Sequence, residues 1–77
     1  MIWIALNDTY DISWDVYHNG EFYNFLSGRY KKMSIERWKN TYPRDTLFLS
    51  IKASWEDIIT INDLKKLMYE QYPELLL

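Results

Sequence analysis

The sequence predicts an α+β fold, a sheet of about four antiparallel strands built on a central hairpin, with two helices on one face. Three observations point there. Asn19-Gly20 stands between two runs rich in β-branched and aromatic residues, and a type I′ turn needs the positive φ that Asn and Gly tolerate best. Leu47, Leu49, Ile51 and Ala53 alternate with Thr46, Phe48, Ser50 and Lys52 at the period of a strand. Two other stretches, Ile35 to Tyr42 and Leu64 to Tyr72, repeat apolar residues at helical spacing.

Ile2 to Leu6 reads as the first strand, and Asn7-Asp8 supplies a turn before Tyr10. With Asn19-Gly20 as a two-residue loop, His18 faces Glu21, Tyr17 faces Phe22, Val16 faces Tyr23, Asp15 faces Asn24, Trp14 faces Phe25 and Ser13 faces Leu26. Ile12, Trp14, Val16, Tyr23 and Phe25 then share one face, expected to be the core face. Asp11, Ser13, Asp15 and Asn24 share the other with Tyr17, Phe22 and Leu26, which is more apolar surface than a solvated sheet needs.

Ser27-Gly28 breaks that hairpin, and Arg29 to Met33 forms an edge strand or an extended connection, with Lys31 and Lys32 suited to blunting an edge. Ser34 is the expected N-cap of a helix through about Thr41, stopped by Tyr42-Pro43. Thr46 to Ala53 is the expected centre of the sheet. The segment from Trp55 to Ile61 stays open between a helical turn, favoured by Ser54-Trp55-Glu56-Asp57, and a strand, favoured by Ile58-Ile59-Thr60-Ile61. Thr60-Ile61-Asn62-Asp63 has the form of a capping box, and a helix from about Asn62 to Tyr72 follows, ended by Pro73.

Residues 1 to 77 make one domain, because a chain of this length buries only about 60 to 65% of its unfolded surface and has no second core to offer. Without cysteine there is neither a disulfide framework nor a thiolate metal site, and one histidine cannot build a multi-imidazole centre. Stability must come from packing. The 4 Trp, 7 Tyr and 3 Phe serve that need, each removing roughly 150 to 250 Å² from water when buried. Trp3, Trp14, Phe25, Trp38 and Phe48 are the expected core rings. Tyr10, Tyr17, Phe22, Tyr30, Trp55 and Tyr69 exceed what so small an interior can hide.

The net charge of −2 conceals a segregation along the chain. Residues 1 to 28 hold Asp8, Asp11, Asp15 and Glu21 and no cation. Residues 29 to 44 hold Arg29, Lys31, Lys32, Arg37, Lys39 and Arg44 against Glu36, and residues 45 to 77 are again net acidic. Such blocks either pair within the fold or orient an encounter with a charged partner. The short apolar start and the Leu75-Leu76-Leu77 tail match neither a signal peptide nor a membrane span, so a soluble cytoplasmic protein with no membrane partner is expected.

No stretch identifies a reaction. His18 beside the hairpin turn has no evident nucleophile or orienting acid, and the pairs Asp8 with Asp11, Asp11 with Asp15, and Glu56 with Asp57 read as solubilising or capping groups. Gly20 and Gly28, the only glycines, form no phosphate loop. No catalytic residue, metal or cofactor is therefore assigned. The charge balance is too even for a DNA mimic. The expected function is a non-enzymatic protein-binding module that docks through exposed aromatics and segregated charge, with Tyr17, Phe22, Leu26, Tyr30, Lys31, Lys32, Arg37 and Lys39 as the partner-binding residues. Self-association through the same face, as a homodimer, would use the same residues. Compact, cysteine-free, aromatic-rich chains of this length resemble small phage-encoded proteins that bind and inhibit a host enzyme, which implies an inhibitor. The alternative is a nucleic-acid binder using segment 29 to 44, where Tyr30, Trp38 and Tyr42 interleave with the cations.

Overall fold

The computed structural model describes residues 1–6 and 12–76. The turn expected at Asn7-Asp8, together with Tyr10, Asp11 and Leu77, lies outside the described residues. Five strands, β1 (Ile2–Leu6), β2 (Ile12–His18), β3 (Glu21–Asn24), β4 (Tyr30–Lys32) and β5 (Leu47–Ile51), form one antiparallel sheet in the order β4-β3-β2-β1-β5. Two α-helices, α1 (Ile35–Lys39) and α2 (Ile61–Gln71), complete the α+β architecture with 3-10 turns at Trp55–Asp57 and Pro73–Leu76.

The central hairpin has the expected register. Asp15, Val16, Tyr17 and His18 face Asn24, Tyr23, Phe22 and Glu21. Asn19 at φ 51° and Gly20 at φ 82° supply the two positive angles that let strands of ordinary right-handed twist reverse in two residues. The ladder continues one step further, since Phe25 N–H donates to the Trp14 carbonyl at 2.8 Å. It then stops. The Asn24 side-chain oxygen accepts from Leu26 N–H at 3.0 Å and Ser27 N–H at 2.8 Å, turning the chain through Gly28 at φ 72° instead of letting Leu26 face Ser13.

Alternation distributes side chains to the two faces of the one sheet, and a buried cluster forms on each, which corrects the expectation that the chain has no second core to offer. Ile2, Ile4 and Leu6 of β1 meet Ile12 and Val16 of β2 and Ile51 of β5, covered by Leu64 and Met68 of α2 and by Ile58. The intervening residues Trp3 and Ala5 meet Tyr17, Phe22 and Phe48, covered by Trp38 of α1. The eleven-residue α2 thus lies over one face, and five-residue α1 brings Trp38 to residues of the opposite parity. Trp38 is buried, stacked on Tyr17 at 5.3 Å and edge-on to Tyr42 at 5.4 Å and Phe48 at 5.5 Å.

Two further expectations are corrected, and one open alternative is decided. Thr46 to Ala53 is not the sheet centre, because β1 pairs with both β2 and β5 and places β5 at an edge. Trp14 is 46% exposed rather than buried, beside the point where the β1–β2 register shifts between Ile4 and Leu6. The segment left open between a helical turn and a strand has the turn, a single 3-10 turn at Trp55–Asp57, followed by extended backbone at Ile58 and Thr60 before α2 begins at Ile61.

Helix α2 starts where its sequence says it should. Thr60 Oγ1 accepts from Asp63 N–H at 3.4 Å, while Asp63 Oδ2 accepts from Thr60 N–H and Ile59 N–H, each at 2.9 Å. These backbone donors hold the Asp63 carboxyl below its ordinary pKa. A depressed folded-state pKa contributes stability above the unfolded value that is lost as pH falls through the folded value. Asp63→Ala is expected to be less stable than wild type at neutral pH, with the gap closing as pH drops below the ordinary carboxylate range in urea titrations. Gly20→Val should cost roughly 1 to 2 kcal/mol by equilibrium unfolding, since no atom lies within 4 Å of the added Cβ and only the positive φ is strained.

Candidate functional site

Beyond the reach of α2, the sheet face that carries Val16 and Tyr23 remains open toward β3 and β4. A cleft of about 540 Å³ lies there. β3 contributes Glu21 and Tyr23, the residue after it Phe25, β2 contributes His18, β4 contributes Tyr30, and the segment after β5 contributes Trp55, Ile58 and Ile59. Period-two alternation from the hairpin brings the strand residues together, because His18 and Glu21, and Tyr23 and Tyr30, are directly opposed pairs.

The cleft is built by ring packing. The His18 and Trp55 rings stack at 5.2 Å with an interplanar angle of 2°. Tyr23 meets Phe25 edge-on at 5.1 Å and Trp55 at 6.1 Å. His18 Nδ1 is buried with no hydrogen-bond partner among the described residues, and its ring presents a stacking surface to Trp55. Ile59 stands at the mouth, 80% exposed. In a hydrophobic staple the residue before the N-cap would pack on the fourth helical residue, here Leu64, yet Leu64 is buried and Ile59 points away from it. The hydrogen bond from Ile59 N–H to Asp63 fixes the backbone that holds it outward.

The residues expected to bind a partner do not form one surface. Tyr17 is core: it is buried, its ring stacks on Trp38, and its hydroxyl donates to the Met33 carbonyl at 2.8 Å. Phe22 is half-buried against the same cluster and is also among the residues that line the cleft. The cause is α1, which covers the face that the sequence left open. Leu26 is 73% exposed in the turn after Phe25, and Tyr30 is 66% exposed on β4. Lys31 and Lys32 are exposed on the same strand, and Arg37 is exposed on α1. Lys39 goes elsewhere, its ammonium 4.8 Å from the Trp3 ring and 5.4 Å from the Phe48 ring, on the β1–β5 side of the sheet. The expected basic band is therefore divided.

Nor do the aromatics of that segment form a stacking platform. Trp38 is buried, and Tyr42 donates to Asp15 Oδ2 at 2.7 Å, with burial and then the Asp15 carboxylate among the forces pushing its hydroxyl above the ordinary tyrosine pKa. Asp15 also accepts from Asn24 Nδ2 at 2.7 Å, which commits this carboxylate to tying α1's end to the hairpin. Among the described residues, no three His, Asp or Glu side chains group as a metal ion would require. Also among them, no helix is long and apolar enough to cross a membrane.

Compared with protein families, with curated proteins and with solved structures, the chain matches none. The cleft residues that sequence reasoning missed, His18, Tyr23, Phe25, Trp55 and Ile59, come from three separated segments. The available signal was the β-branched Ile58-Ile59-Thr60 run placed before a capping box, which strands an apolar residue outside the helix. The assignment of Tyr17 to the core has a direct test. Tyr17→Ala should lose about 3 to 5 kcal/mol of unfolding free energy, as buried aromatics do, whereas Leu26→Ser should stay within about 0.5 kcal/mol of wild type.

Proposed function

We propose that the protein is a non-catalytic binding module that docks onto another protein through the cleft between β3, β4 and the Trp55 to Ile59 segment. The observation that carries this reading is the exposure of Ile59 and Tyr30 at the rim of an aromatic-lined concavity, with Leu26 just beyond Phe25. Large apolar groups around a concavity are the anatomy of a recognition surface, and rigid rings such as Tyr30 and Trp55 lose little rotamer freedom on contact. A docking protein of this kind acts by occupying its partner's surface, as an inhibitor does. Nucleic-acid binding has less support, because only Tyr30 of the three interleaved rings is exposed and Lys39 is turned away from β4.

Affinity capture from a nuclease-treated bacterial lysate tests this reading. Wild-type protein is expected to retain one partner at stoichiometric level, and the Leu26→Glu, Ile59→Glu double variant to retain at least about thirtyfold less, the effect of a hot-spot loss. Equal retention by the folded double variant would remove the cleft from the proposal. Recovery only without nuclease, with oligonucleotide affinity falling steeply in salt, would favour the nucleic-acid reading instead.

A further inference from the structure

The sheet has two edges, and the chain treats them differently. At β5 the C-terminal end of α2 covers the outward backbone: Tyr72 hydroxyl donates to the Ser50 carbonyl at 2.8 Å, Gln71 Nε2 donates to the Lys52 carbonyl at 2.8 Å, and Lys52 N–H donates to Gln71 Oε1 at 2.9 Å. At β4 all three residues are exposed. Asn24 N–H donates to the Arg29 carbonyl and Met33 N–H to the Gly20 carbonyl, so Arg29, Lys31 and Met33 turn their backbone groups toward β3. The N–H and C=O groups of Tyr30 and Lys32 consequently point outward along the free edge.

We propose that this edge accepts an extended acidic segment of another protein as an added strand, whose aromatic side chain enters the cleft beside Tyr30. The inference rests on the protein-binding reading and names its partner chemistry. An added strand lies about 4.8 Å beyond β4, and its side chains alternate between the two faces. On one face its residue continues the Tyr23–Tyr30 row over the cleft, where Glu21 lines the polar end and favours a ring that carries a donor, Tyr or Trp. On the other face its neighbours meet Arg29 and Lys31, which select carboxylates. The recognised pattern is acid, aromatic, acid. A second copy of β4 in the same place would set lysine beside lysine, so the charge that attracts the acidic strand disfavours self-pairing.

Selection of random dodecapeptides on the folded protein, followed by fluorescence anisotropy of the enriched sequences, tests the proposal. Enriched peptides should carry the acid–aromatic–acid alternation and weaken with added salt. Lys32→Pro deletes an outward N–H, a substitution edge strands tolerate, and should weaken binding about tenfold more than Lys32→Ala does. If Lys32→Pro unfolds, N-methylation of the peptide is decisive: methyl groups at alternate residues should abolish binding and those between should not. No enrichment, basic consensus sequences, indifference to N-methylation, equal affinity of folded Lys32→Pro and Lys32→Ala, or equal competition by a single-stranded oligonucleotide would each overturn it. So would concentration-dependent dimerisation that the peptides reverse without the acidic pattern. A captured lysate protein that tolerates Lys32→Pro but not Leu26→Glu with Ile59→Glu would leave the docking module standing and remove the added strand.

Discussion

The positive φ angles at Asn19 and Gly20 fix which residue of β2 meets which residue of β3, and later assignments of side chains to faces inherit that register. A slip of one residue would exchange Val16 for Tyr17 and so swap the residues beneath α2 with those beneath Trp38. Both sets are apolar, so burial alone discriminates weakly between the two registers. Shape discriminates better. Tyr17 needs a flat partner for its ring and an acceptor for its hydroxyl, which Trp38 and the Met33 carbonyl provide, while Val16 needs only close aliphatic neighbours. The turn and the ring stack therefore specify the same register by independent means, one through backbone angles and one through side-chain packing, and agreement of that kind makes one native state.

Burial on both faces has a consequence for the sheet. A 77-residue chain forming two cores can cover each only partly, and α1, with five residues, covers its face chiefly through one indole. The rings of Tyr42 and Phe48 close around that indole, and the Tyr42 to Asp15 hydrogen bond ties the end of α1 back to β2. On the other side α2 and the Pro73–Leu76 turn follow the β1 and β5 half of the sheet, leaving the β3 and β4 half to Trp55 and Ile58. The cleft exists because the covering helix lies over the half of the sheet away from β4.

Local rules made part of this legible in advance. The Asn19-Gly20 hairpin, the Thr60 capping box, the Ser34 cap and the end of α2 before Pro73 are each determined within a few residues, and each stands where the sequence puts it. Pairings between distant segments were harder to read. Ile2-Trp3-Ile4-Ala5-Leu6 is a continuous apolar run, the mark of a strand covered on both faces, and given that weight it would have moved β1 inward and β5 to the edge. Tyr17 misled because a ring at a polar parity is an exposed ring only when nothing covers that face, and what covers it is a helix of a single turn. Lys39 misled because a flexible cation on a short helix is directed by whichever aromatic faces it reaches, here Trp3 and Phe48 from two other strands.

Ile59 shows why the exposed residues of this chain are not simply surplus. Burying an isoleucine side chain contributes about 1.5 to 3 kcal/mol, and a folded domain is stable by only about 5 to 15 kcal/mol. Turning Ile59 inward would require releasing its N–H from Asp63, and with it half of the carboxylate's grip on the helix start. The box therefore holds Ile59 out against its own hydrophobicity, while Ile58, one residue earlier and of opposite orientation, completes the core. The same three-residue segment closes the interior and furnishes the rim of the cleft. The position of the cleft rim and the start of α2 are then set by one hydrogen-bonded turn, so changes to Thr60 or Asp63 act on both.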